Sequence, residues 1–207
     1  MTVNHRLEFK DWAYGSRHPR FQTIDLYLPS SRSFKPSQLL VYVHGGAWRS
    51  GDKADSFSMG LIDNLSKKFS SWAICSVNYR LSLRTDDVII RHPTHNEDTI
   101  KAIESLKGIP VLSQITSTYL IGHSVGAFIC LSISGILQSP TIKDLQLSNP
   151  QKIKGLILID GIYDLIDLLE EYPTYRDFVE AAFGEENVQS KNFLHSISPL
   201  SWFITSD

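Results

Sequence analysis

Strand-like and helix-like segments alternate along this 207-residue chain, which predicts an α/β fold: a mostly parallel sheet with helices on both faces. Two observations carry that expectation. The runs Leu39-Leu40-Val41-Tyr42-Val43 and Trp72 to Val77 are apolar throughout, as strands covered on both faces are. Glycines and polar residues then gather just after such runs, at His44-Gly45-Gly46, Asn78-Tyr79-Arg80, Gly122-His123-Ser124 and Asp160-Gly161. In open α/β sheets the chemistry lies beyond the carboxyl ends of the strands, where these clusters fall.

The elements follow in order. Ile24 to Pro29 alternates apolar with polar or amphipathic residues and reads as a half-exposed strand. Ser30 to Ser37 is a polar surface loop, and Leu39–Val43 is a buried strand. Residues 56–69 carry Phe57, Leu61, Leu65 and Phe69 at helical spacing. After the strand Trp72–Val77, Pro93-Thr94-His95-Asn96-Glu97 opens a helix, with Thr94 and Glu97 in capping-box spacing and Ile100, Ile103 and Leu106 as its apolar stripe. Thr118–Ile121 is a strand, Val125–Leu137 a helix and Ile153–Ile159 a strand. Two short helices follow near 162–171 and 174–183, separated by Pro173.

Composition narrows the function classes. Hydrophobic residues make up 42% and charged ones 20%, with a net charge of −2 and no basic block, so nucleic acid is not an expected partner. The opening MTVNHRLEFKDWAYG has neither the apolar run of a signal peptide nor the Arg-rich character of a transit peptide, and no segment approaches a membrane span. Cys75 and Cys130 each lie in an apolar stretch and are expected to be buried reduced thiols, which points to the cytoplasm. No H-E-x-x-H or C-x-x-C spacing suggests a metal.

The chemistry centres on Gly122-His123-Ser124-Val125-Gly126, a G-x-S-x-G sequence between a strand and a helix. The flanking glycines permit a tight turn that exposes the serine, and the helix start at Val125 offers free backbone N–H groups. Ser124 is therefore the candidate nucleophile, and the Val125 N–H a candidate oxyanion donor. His44-Gly45-Gly46-Ala47-Trp48 follows a buried strand, and its glycines Gly45 and Gly46 are the candidates for the other donors. His44 reads as a brace for that loop. For Trp48 both pocket lining and plain packing stay open.

These motifs, with Asn78-Tyr79-Arg80-Leu81-Ser82, Asp160-Gly161-Ile162-Tyr163-Asp164 and Glu171-Tyr172-Pro173-Thr174-Tyr175, together resemble the kynurenine formamidase (arylformamidase) family of α/β hydrolases, fungal members above all, over roughly residues 24–200. The resemblance implies an α/β-hydrolase fold, hydrolysis of N-formyl-L-kynurenine to L-kynurenine and formate on the tryptophan route toward NAD, no metal or organic cofactor, and a homodimer. It places the nucleophile at Ser124 and the oxyanion donors at Gly45, Gly46 and Val125.

A serine needs a histidine base and an acid, and in this fold the chain order is serine, acid, histidine. In the family both follow the region matching Ser196-Ile197-Ser198-Pro199-Leu200, so the last two strand–helix units are expected to be missing here. The chain is expected to be one domain, 1–207, C-terminally incomplete, with a small helical cap near 162–195, weak or no activity and an exposed strand at 153–159. Ser124, Asp160 and His195 run in the right order, but Asp160 belongs to a motif that the family carries in addition to its acid, and His195 reads as a surface residue of the cap. The alternatives are a general carboxylesterase of the same fold and a non-catalytic binding protein.

Overall fold

The computed structural model describes residues 5–16, 20–31, 33, 35–84, 88–134 and 153–204. Six strands form one sheet: β1 (His5–Ala13), β2 (Thr23–Pro29), β3 (Gln38–Val43), β4 (Ala73–Val77), β5 (Ser117–His123) and β6 (Ile153–Ile159), in the order β1-β2-β4-β3-β5-β6. β1 and β2 pair antiparallel, as do β2 and β4, whereas β4, β3, β5 and β6 are parallel. The helices are α1 (Ser56–Lys68), α2 (Thr94–Ser105), α3 (Val125–Ile133), α4 (Leu165–Glu171), α5 (Arg176–Phe183), α6 (Glu185–Val188), α7 (Lys191–Ile197) and α8 (Ser201–Ile204).

Side chains alternate across the sheet and so feed two cores. Leu39, Val41 and Val43 of β3 enter the larger one, with α2, α3, α5 and α7; Leu40 and Tyr42 enter the smaller one, against Ile62 and Leu65 of α1. Helices therefore cover both faces, as the sequence predicts. Cys75 and Cys130 are fully buried free thiols. Among the described residues no helix is long and apolar enough to cross a membrane.

Three local expectations are corrected. β2 is buried along its whole length rather than half-exposed. Its polar member Asp25 is 2% exposed because Lys53 reaches over it, Nζ to Oδ1 2.9 Å, and Tyr27 donates to Met59 Sδ at 3.5 Å. The capping box at Thr94 does not form. Pro93 occupies the cap position and Thr94 already stands inside the helix, its N–H donating to the Arg91 carbonyl at 2.9 Å. In α1 the buried face runs through Ser58, Ile62, Leu65 and Ser66, leaving Phe57 half exposed. β1, which the sequence reading leaves without an assigned element, is an antiparallel strand with two register shifts. The predicted continuation of α3 from 135 to 137 lies outside the described residues.

Candidate active site

β5 delivers the chain to Ser124 and α3 carries it away. Ser124 adopts φ 53° and ψ −119°, a region that non-glycine residues occupy only when the surroundings force it, at a cost of about 1–3 kcal/mol. Two bonds hold the turn: Ser124 N–H donates to the Ile159 carbonyl of β6 at 2.8 Å, and Ala127 N–H to the Ser124 carbonyl at 3.0 Å. A Cβ built on Gly126 would stand 2.2 Å from the Val43 carbonyl oxygen, so glycine there lets the start of α3 lie directly on the end of β3. Val125 opens α3 with its N–H in the unpaired first turn.

The end of β3 runs into the His44–Trp48 loop. A Cβ on Gly45 would come 2.8 Å from His123 Nδ1 and 3.1 Å from Ser124 Cβ, so Gly45 lies directly against the serine. Gly46, Ala47 and Trp48 all have positive φ, 106°, 52° and 57°, and the turn is closed by Arg49 and Ser50 N–H groups donating to the Gly46 carbonyl at 3.0 and 2.9 Å. The two glycine-bearing motifs, nearly eighty residues apart in sequence, thus meet at one point.

Residues of the Asn78-Tyr79-Arg80 segment hold this loop and its neighbours. Asn78 Oδ1 accepts Lys53 N–H at 2.6 Å, and Asn78 Nδ2 donates to Asp52 Oδ2 at 2.8 Å. Tyr79 Oη donates to the His44 carbonyl at 3.0 Å, with a longer 3.4 Å contact to that of Gly45, and its ring stacks on His44 at 4.4 Å. Arg80 grips the fully buried Asp98 of α2 through Nε and Nη2, at 2.7 and 2.8 Å. Burial pushes the Tyr79 phenol well up, so it remains a donor, and holds the His44 imidazole below its ordinary range, hence neutral.

Trp48 packs rather than lining an open pocket. It is fully buried, with Phe128, Phe178 and Phe183 around it at ring separations of 5.5, 6.2 and 5.1 Å. His44 braces the loop as expected, its Nδ1 2.7 Å from the Gly45 carbonyl. His92 sits among Phe128 and Phe183, His95 bonds Ser82 Oγ at 2.9 Å, and His123 stacks on Phe57 at 4.3 Å. Among the described residues no hydrogen bond involves the Ser124 side chain, so none of these histidines is seated on the serine. Asp160 is exposed with φ 47°, and His195 is exposed on α7. Asp164 caps α4, its Oδ1 accepting the N–H groups of Ile166 and Asp167 at 2.7 and 3.1 Å. Among the described residues no group of three or more histidine, cysteine or acidic side chains could hold a metal.

Comparison with known proteins gives a consistent picture. The chain is 35% identical over 170 residues to kynurenine formamidase of Meyerozyma guilliermondii, covering 82% of this chain and 59% of that one. It is 33% identical over 158 residues to the Saccharomyces cerevisiae kynurenine formamidase, covering 72% and 56%. The chain thus spans somewhat under two thirds of the curated relatives it matches. Among solved structures, esterase B of Lactobacillus rhamnosis superposes with TM-score 0.73 at 18% identity, covering 99% of this chain and 63% of that one. Carboxyl esterase 2 of Tuber melanosporum gives 0.62 at 24%, covering 86% and 55%. These structures show the α/β-hydrolase fold. The BD-FAE family matches residues 24–207, and the chain belongs to it.

Proposed function

We propose that this chain carries the nucleophile half of a kynurenine formamidase-type serine hydrolase, which cleaves N-formyl-L-kynurenine to L-kynurenine and formate. One observation carries the reading: Ser124 is held in a strained backbone conformation at the β5–α3 junction with Gly45 directly against it. The curated formamidases at 33–35% identity supply the substrate. In this reading Ser124 Oγ attacks the formyl carbon, and the N–H groups of Gly45, Gly46 and Val125 receive the oxyanion. Among the described residues no histidine bonds the serine, and the family resemblance implies that the base and its acid follow the segment Ser196–Leu200. No metal or organic cofactor enters the reaction as proposed, and the reduced thiols suit the cytoplasm. A homodimer is what the family suggests.

The test is turnover of N-formyl-L-kynurenine by purified residues 1–207 and by Ser124→Ala. With donors but no seated base, the expected rate is slow, at most about 10³–10⁴-fold over water, and Ser124→Ala removes labelling by a fluorophosphonate probe. Equal fluorophosphonate labelling of parent and Ser124→Ala refutes the nucleophile assignment. Acetyl-ester turnover above formyl-anilide turnover favours a carboxylesterase. A folded chain with neither labelling nor turnover favours a non-catalytic protein.

A further inference from the structure

The Asn-Tyr-Arg segment has no part in the reaction as written, yet its tyrosine contacts the backbone of the loop that flanks Ser124. A trans peptide holds its C=O and N–H in one plane, pointing in opposite directions. The peptides joining His44 to Gly45 and Gly45 to Gly46 are trans, since the His92–Pro93 bond is the cis peptide among the described residues. Whatever holds the carbonyl of His44 therefore aims the N–H of Gly45, and whatever holds the carbonyl of Gly45 aims the N–H of Gly46. Tyr79 Oη donates to the first carbonyl at 3.0 Å and approaches the second at 3.4 Å; His44 Nδ1 lies 2.7 Å from the second. A carbonyl can only accept, so the neutral His44 carries its proton on Nδ1.

We propose that Tyr79 is the positioning residue of the oxyanion hole: with His44 it pins the two carbonyls behind the loop and thereby directs the Gly45 and Gly46 N–H groups toward the reacting oxygen. The inference rests on the hydrolase reading for its purpose, but its geometry stands apart from it. Tyr79 is fully buried and does not reach substrate. The stacked His44 ring keeps Oη over the carbonyls.

The experiment is Tyr79→Phe in the 1–207 chain, which removes one oxygen and keeps the ring. Hydrogen exchange of the Gly45 and Gly46 amides is read by NMR, alongside turnover of N-formyl-L-kynurenine. Expected are at least tenfold faster exchange at both glycines with the β5 amides unchanged, and a kcat lowered about 10- to 100-fold at a KM within twofold. A merely structural tyrosine would speed exchange throughout the sheet or leave the kcat-to-KM balance alone. Unchanged exchange at Gly45 and Gly46 in folded Tyr79→Phe overturns the proposal. If the folded parent chain shows neither turnover nor fluorophosphonate labelling at Ser124, it is the hydrolase reading that fails, and the exchange result alone upholds or overturns the role of Tyr79. Should Tyr79→Phe not fold, His44→Phe keeps the ring stack, deletes the Nδ1 donor and is expected to release the Gly46 amide; an unchanged Gly46 amide overturns the proposal there too.

Discussion

Lowering the pH from about 7.5 to about 5 should remove about 3 kcal/mol of folding stability, because His95 and His92 fold as neutral rings. Ser82 Oγ gives its proton to the Ile90 carbonyl at 2.6 Å, so His95 donates from Nε2 and keeps Nδ1 as a bare acceptor. That Nδ1 is buried without a partner, and protonating it would leave a cation in the core with nothing to receive it. Burial accordingly pulls His95 down to about 3 and His92 to about 4, from 6.5. A histidine whose folded pKa is lowered binds its proton in the unfolded chain first, so stability falls as pH drops through 6.5 and levels off near the folded value. At pH 5 the full term is about 2 kcal/mol for His95; His92, a residue of intermediate exposure, is counted at about half that. Burial lowers His44 and His5 as well, with the same sign. Asp11 and Asp55 have lowered values, so the stability they give is lost only at more acid pH, which leaves this window to the imidazoles. Urea unfolding followed by tryptophan fluorescence at several pH values measures the slope, and His95→Gln should flatten it by more than a third. A stability that changes by less than about 1 kcal/mol between pH 7.5 and 5 would refute the reasoning.

Two further outcomes follow from packing and charge. Gly126→Ala drives its Cβ to 2.2 Å from the Val43 carbonyl oxygen and should cost about 2 kcal/mol or more while shifting Gly45 away from Ser124; Gly60→Ala, which meets nothing within 4 Å, should instead stabilise slightly, and similar melts for the two variants would contradict this. Lys53→Met strips the ammonium from Asp25, leaving a buried carboxylate without its counter-charge, at a cost of about 3–5 kcal/mol. Calorimetry should show a Tm lowered by about 10 °C, with part regained in Lys53→Met/Asp25→Leu; a loss under about 2 °C would show that the pair is idle.

Much of this architecture was legible from local pattern. The buried strands β3 and β4 are runs of apolar residues, and the half-buried β6 begins and ends as its sequence suggests, at Ile153 and Ile159. The short helices on either side of Pro173 were likewise readable, since proline interrupts a helix for covalent reasons. The misreadings share a cause. β2 looks half-exposed because its alternation includes Asp25, and only Lys53, arriving from another segment, makes that position tolerable inside. Thr94 and Glu97 have capping spacing, but spacing does not say which residue begins the helix. β1 alternates Leu7 and Phe9 with charged residues, but the alternation breaks at Asp11, and its pairing on the edge of β2 carries two register shifts.

The same division holds at the site. Local sequence is enough to place Ser124 between a strand and a helix with glycines flanking it, because backbone sterics at such a turn leave little else. It also determined the sheet class, through the period of apolar residues. Folding in three dimensions adds that Gly45 touches Ser124, that Tyr79 donates to the His44 carbonyl, that Trp48 is core, and that no described histidine bonds the serine. Those are contacts between segments distant in sequence, set by how the strands order as β4-β3-β5-β6, and one-dimensional spacing carries no record of that order.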